Sequence, residues 1–156
     1  MWRTRPLTAD DFDDAHILYV QLTNGPPPPA GDHGREAFAA VLAHPGTTIL
    51  GAEVEARIAG MATLHVMPNL TYGGRPYALV ENVVTRRDMH GRGVGRAVME
   101  AATEQARTAG CYKIMLLTGQ GRGAKGLYEK VGFSAHAKHG MIRRLKKAAR
   151  RKPGRK

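Results

Sequence analysis

Two periods of apolar residues alternate along this 156-residue chain. Phe12, Ala15, Ile17, Leu18 and Leu22 fall mostly on one side of a 3.6-residue repeat. That spacing predicts a helix with Thr8 as N-cap and Asp10 and Asp11 in its first turn, ending near Asn24 and Gly25. A short strand, "WRTRPL", precedes it, and the four prolines Pro26 to Pro29 predict a stiff connection to a second helix, Gly34 to Ala43. Residues 47–67 read as two antiparallel strands, about 47–54 and 57–67, turning at Glu55 and Ala56. Gly73 and Gly74 then turn the chain into a further strand, about 76–85. A helix from Val94 to about Thr108, closed by Gly110, leads to the continuous apolar run "YKIMLLTG". A strand, helix, strand order of this length implies a right-handed parallel crossover. A last helix, about 122–131, is expected to end at Gly132, with "FSAHA" and "GMIRRL" as two short closing strands.

The resulting class is α+β, and the length suits one domain, residues 1–145, with a core that needs no disulfide or structural metal. The formal charge of +11 first suggests a nucleic-acid binder, but its distribution changes that picture. Residues 143–156, "RRLKKAARRKPGRK", carry nine of the 24 Lys and Arg and no acid, which leaves 15 bases against 13 acids in the rest. The body is nearly neutral, and residues 146–156 are expected to form a disordered basic tail. Nucleic acid is therefore not expected as a partner beyond weak contacts of that tail. A single cysteine, Cys111, fits a reducing compartment, and the seven histidines show no ligand-like register, so no metal is expected. The N-terminal residues lack signal-peptide architecture, and no apolar run reaches the roughly 18 to 20 residues of a membrane span. A cytoplasmic protein without a membrane partner is expected.

The chemistry concentrates in "MHGRGVGRAVMEA", Met89 to Ala101, where Gly91, Gly93 and Gly95 alternate immediately before a helix. Glycines there permit positive φ and close backbone approach, so several N–H groups can converge with the positive end of the helix dipole on an anion such as a phosphate. Arg92 and Arg96 add charge. A dinucleotide fingerprint would place Gly-x-Gly-x-x-Gly after the first strand, and a nucleoside-triphosphate loop would require Gly-Lys-Ser or Gly-Lys-Thr; neither is present. Upstream, Glu81 and Asn82 interrupt the apolar strand "YALVENVV" and face opposite sides by alternation. A polar group in a central strand costs free energy unless it is paired or used.

The glycine stretch resembles motif A of the GNAT superfamily of acetyl-CoA-dependent N-acetyltransferases: Arg or Gln, two residues, Gly, one residue, then Gly or Ala. Here the positions are His90, which replaces the usual Arg or Gln, Gly93 and Gly95. "LVENVVTRRDMHGRGVG" is similar to the family's central strand and turn, and "GLYEKVGF", Gly126 to Phe133, to its "LYEKxGF" block, although Gly121 stands where an Asn is usual. Two shorter matches, "QLTN" and "GCYKI", resemble the glucosamine-6-phosphate N-acetyltransferase branch; they carry no acceptor with them.

The resemblance implies a mixed, mainly antiparallel sheet of about six to seven strands with about four helices, splayed at its central strands to bind acetyl-CoA. It also implies a direct acetyl transfer to the primary amine of a small molecule, with coenzyme A as the second product. Gly91, Arg92, Gly93, Val94, Gly95 and Arg96 would present backbone donors to the coenzyme A pyrophosphate, and Val83, Val84 and Thr85 would offer backbone groups to the pantetheine arm. Glu81 is the candidate general base and Tyr128 the candidate acid that protonates the departing thiolate. The acceptor is expected to enter near the Pro26–Pro29 and 68–75 loops, and a homodimer is compatible with the family. Two other classes fit parts of the pattern: a non-catalytic acyl-CoA-binding module, which would not need Tyr128, and an RNA- or ribosome-associated protein using the tail.

Overall fold

The computed structural model describes residues 2–119 and 125–145. Five strands, β1 (Arg3–Pro6), β2 (Thr47–Val54), β3 (Arg57–Met67), β4 (Tyr77–Thr85) and β5 (Ile114–Leu116), form one sheet in that order. All pairings are antiparallel except β4 with β5, which is parallel. The helices are α1 (Phe12–Leu22), α2 (Gly31–Ala43), the single turn α3 (Thr71–Gly74), α4 (Val94–Thr108) and α5 (Lys125–Lys130).

The β2–β3 hairpin forms at the bounds its alternation predicts. Glu55 and Ala56 take φ of 50° and 57°, the left-handed pair that matches a two-residue turn to the twist of its strands. Residues Ile58 to Leu64 of β3 are all buried, because both faces of this strand are covered. On one face Phe12, Ala15 and Leu18 of α1 and Phe38 of α2 pack on Leu7, Ile49, Ile58 and Met61. On the other, Val94, Val98, Ala102 and Ala106, spaced by four along α4, pack with Met99 on Leu50, Ala62, Leu64, Ala78 and Val80. The α4 crossover joins two neighbouring parallel strands, as the strand, helix, strand order implies.

The sequence places two further strands after Gly132, and the structure has none there: residues 131–145 are irregular. The sheet has five strands instead of six or seven because this segment does not bury what a new edge strand needs. Met141 is 92% exposed, Ile142 67% and Leu145 86%. The strand expected across "YKIMLLTG" is likewise only three residues long. Residues 120–124, which include Gly121 and the expected start of the last helix, and the basic tail 146–156 lie outside the described residues.

An ion pair across the α1 face fixes how α1 lies on the sheet. Arg86, 8% exposed at the end of β4, pairs with Asp14 of α1 and donates from Nε to the Ile58 carbonyl at 2.7 Å. The second Asp14 oxygen accepts the Ile58 N–H at 2.8 Å, and the Arg86 N–H donates to the Ala59 carbonyl at 2.8 Å. Three segments far apart in the chain therefore meet in one network. At the sheet's first edge, the Arg5 guanidinium binds both oxygens of Asp11, each at 2.8 Å, and Glu53 at 2.6 Å.

Removing one partner of a largely buried pair strands the other charge, so Arg86→Met is expected to lower the unfolding free energy by about 3 kcal/mol. Urea denaturation checks this, and Asp14→Leu combined with Arg86→Met should cost less than the two single losses added. Acid should also act through Asp11, whose carboxyl the Arg5 guanidinium holds below its ordinary value. Its contribution is complete above the unfolded carboxylate range and is lost as pH falls through the lowered folded value. Asp11→Asn should therefore flatten the dependence of stability on pH below about 4, measured by thermal unfolding across that range.

Candidate active site

The site originates where β4 and β5 part. Their register runs Ala78 with Ile114, Leu79 with Met115 and Val80 with Leu116, and then stops. β4 continues to Thr85, so its β5-facing edge from Glu81 onward has no strand partner among the described residues. The opening is a cleft of about 430 Å³ lined by Leu22, Val80 to Val83, Leu116 to Gly119, Tyr128, Ile142 and Arg144. A second groove, about 360 Å³, shares Leu22 and Val83 and runs past Gln21, Asn24, Val84, Thr85, Arg87 and His90. The two form a path along β4 toward the glycine turn.

A bulge in β4 sets which side chains enter this path. Thr63 opposes Glu81 and Met61 opposes Val84, so Ala62 alone faces the two residues Asn82 and Val83. Asn82 takes the left-handed conformation, φ 54°, that the extra residue requires. Glu81 precedes the bulge and shares a face with Thr63 and Met61, the α1 side. Beyond it the phase has shifted: Val83 packs with the α4 core and Val84 with the α1 core, the reverse of simple alternation. Glu81 is exposed and its carboxylate takes part in no ion pair or hydrogen bond among the described residues.

The glycine turn behaves as two different devices. Gly91 and Gly93 have φ of 75° and 86°, and Gly93 is the N-cap of α4 in the left-handed region. The first intrahelical bond runs from the Ala97 N–H to the Gly93 carbonyl at 3.0 Å, so the N–H groups of Val94, Gly95 and Arg96 have no acceptor within the helix. Gly95 has ordinary helical φ, and what it provides is room. A Cβ there would stand 3.2 Å from Leu127 Cδ2 and 3.4 Å from Thr85 Oγ1, so this glycine lets α5 approach the end of β4.

Each residue singled out in the sequence has a definite place. Tyr128, next to Leu127 on α5, lines the cleft opposite Glu81's strand and packs edge-on against Phe133 with centroids 6.3 Å apart. Arg92 is exposed at the turn, whereas the Arg96 guanidinium is held by Glu100 at 2.7 Å on the outer side of α4. His90 Nε2 lies 2.9 Å from the Thr85 carbonyl oxygen, so that nitrogen carries the proton and donates. The imidazole thus fastens the turn back onto β4 and occupies the Thr85 carbonyl. Cys111 sits before β5, away from the cleft lining, and burial pushes its thiol above the ordinary value. The 68–75 loop also lies away from the cleft, at the opposite end of β4, where Tyr72 stacks on Tyr112 with centroids 4.1 Å apart. Neither this loop nor Pro26–Pro29, where the acceptor was expected to enter, is among the residues that line the cleft.

Sequence reasoning missed Gln21, Leu22 and Asn24 at the end of α1 and Ile142 and Arg144 in the last segment. Gln21, Leu22 and Asn24 fall within "QLTN", a match that assigned them no role, and Ile142 and Arg144 belong to no motif; the Arg86–Asp14 pair and the return of the chain past β5 bring them to the path.

Comparison with known proteins agrees with this geometry. The model of the acetyltransferase (GNAT) family matches residues 13–133. A glucosamine 6-phosphate N-acetyltransferase of Trypanosoma brucei brucei is 33% identical over 134 residues, covering 85% of this chain and 88% of that protein. A solved protein structure from Agrobacterium tumefaciens str. C58 superposes with a TM-score of 0.85 at 40% identity, covering 91% of this chain and 99% of the other. The crystal structure of a Trypanosoma brucei acetyltransferase gives a TM-score of 0.80 at 29% identity, covering 93% of this chain and all of that one, 100%. The glycine turn at the head of α4, the parted strands and the matched sequence thus lead to one conclusion: this chain is a member of the acetyltransferase (GNAT) family.

Proposed function

We propose that this protein transfers the acetyl group of acetyl-CoA to the primary amine of a small molecule, directly, with both substrates bound together. The observation that carries the reading is the fork of β4 and β5, which puts Glu81 and Tyr128 on the lining of one cleft whose path leads to the glycine turn. The residues present suit acetyl-CoA. Residues 94–96 hold inward N–H donors at a helix N-terminus for the pyrophosphate, and the unpartnered edge of Val83 to Thr85 can receive the amide-bearing pantetheine arm as a strand would be received. The Thr85 carbonyl, already bonded to His90, is not among the groups left for it.

The bound thioester supplies an activated acyl group with a thiolate as leaving group. An alkylamine with a pKa of about 10.4 is neutral in roughly one molecule in a few thousand at pH 7, so the amine must lose a proton to attack. Glu81 takes that proton, directly or through water. As the nitrogen bonds to the carbonyl carbon, backbone N–H donors on the open edge of β4 stabilise the charge growing on the carbonyl oxygen. The carbon–sulfur bond breaks, and Tyr128 gives its phenolic proton to the sulfur. The acylated nitrogen still carries one proton more than an amide holds; that proton passes through water to the Tyr128 phenolate, and solvent removes the proton from Glu81, which balances the cycle. Cys111 has no part in it: a partly buried thiol with a raised pKa, outside the cleft, is a poor acyl carrier.

Coenzyme A release measured over a panel of amines, glucosamine 6-phosphate among them, tests the reading. Tyr128→Phe should lower kcat by about a hundredfold with little change in the KM for acetyl-CoA. Glu81→Gln should lower kcat/KM for the amine with little change in the KM for acetyl-CoA. Tight acetyl-CoA binding with no turnover on any amine would instead establish a non-catalytic binding module. Gly93→Ala, which places a Cβ at φ 86°, should weaken acetyl-CoA binding by about fivefold or more while sparing kcat; calorimetric titration reads this.

A further inference from the structure

The basic C-terminal segment is the one sequence feature that the proposed reaction leaves without a task, and the structure brings its beginning to the cleft. After α5 the chain returns past the end of β5, so close that a Cβ on Gly140 would stand 2.5 Å from Leu117 Cδ2. Ile142 and Arg144 then line the cleft together with Glu81, Asn82 and Thr118. Neither Arg144 nor Glu81 makes an ion pair or hydrogen bond among the described residues. One unpaired guanidinium and one unpaired carboxylate therefore line the same 430 Å³ space, which is the size of a small-molecule site.

From this we infer that Arg144 is a specificity-determining residue. It selects, among primary amines, acceptors that carry a phosphate or carboxylate group. The inference rests on the proposed acetyl transfer. Three observations direct it to the acceptor and away from the cofactor. Arg144 lines the cleft and is absent from the groove that leads to the glycine turn, where Arg87 and His90 lie. The anionic part of coenzyme A has its donors at the other end of that path, on residues 94–96. An acceptor bearing both an amine and an anion satisfies the two lone charges of the cleft together, whereas an uncharged amine leaves the guanidinium without a partner. A planar guanidinium binds carboxylate or phosphate oxygens in pairs, which suits it to this choice better than an ammonium.

The test uses full-length protein and three matched amines: ethanolamine, O-phosphoethanolamine and β-alanine, with glucosamine and glucosamine 6-phosphate as a larger pair. Binding is measured by calorimetry in the presence of coenzyme A, and acetylation separately. Wild type should bind the anionic member of each pair at least tenfold more tightly, and the phosphate and carboxylate arms show which anion is preferred. Arg144→Ala should remove that preference, leave the uncharged amines within twofold and leave the KM for acetyl-CoA unchanged. Arg144→Lys should restore part of it.

Equal binding of charged and uncharged amines by wild type overturns the inference, as does an equal loss of both in Arg144→Ala, which marks a mere wall. A loss that falls on acetyl-CoA overturns it too, by making Arg144 a cofactor contact. Selective, Arg144-dependent binding without acetylation of any amine upholds the anion site and refutes the proposed reaction instead.

Discussion

Everything at the active site is placed relative to one buried ion pair. Asp14 meets Arg86 between α1 and the sheet, and both groups close on the backbone of Ile58, so the pair locks a helix, the start of β3 and the exit of β4 at once. Such a pair gains little net stability over a hydrophobic replacement, because desolvating two charges consumes most of their attraction. Its contribution here is placement. Asp14 lies two turns before Gln21 and Leu22, which wall the groove, and Arg86 follows Thr85, whose backbone borders it. Rotating α1 by one residue would unpair both charges and move that wall, so electrostatics and site geometry forbid the same slip.

The second constraint is the bulge in β4. A sheet with uninterrupted pleating would carry Glu81 and Val83 on one face and expose Thr85 with them. The extra residue at Asn82 lets Glu81 stay on the α1 side while Val83 and Thr85 turn toward α4. Thr85 Oγ1 then sits within reach of the Cβ positions that Gly60 and Gly95 leave empty, which packs the strand end against the helix that starts the anion site. Glu81 and the strand end that packs under α4 thereby lie on opposite faces of β4.

How much of this the sequence reveals depends on the range of the interaction. The β2–β3 hairpin and α4 were legible to the residue, because alternation and a four-residue apolar spacing are local signals. The positive φ of Gly91 and Gly93 ahead of α4 was legible too, since glycines placed before a helix permit that conformation. Arg86 in "TRRDMH" was not: it reads as one more surface base, and its partner is 72 residues earlier. The bulge was equally hidden, since an Asn in a strand announces a polar side chain but not a positive φ. The closing strands failed for a different reason. "GMIRRL" has apolar residues in a short alternating run, but the chain passes the sheet edge without burying them.

The fork itself has a shape with consequences. At its base β4 and β5 are joined by three rungs, with the Tyr72–Tyr112 stack just beyond, and from Glu81 onward no strand pairing joins them among the described residues. That is a wedge closed at one end, and a wedge sorts its contents by thickness. A flat, narrow group can settle toward the vertex, while anything branched or hydrated stops nearer the rim.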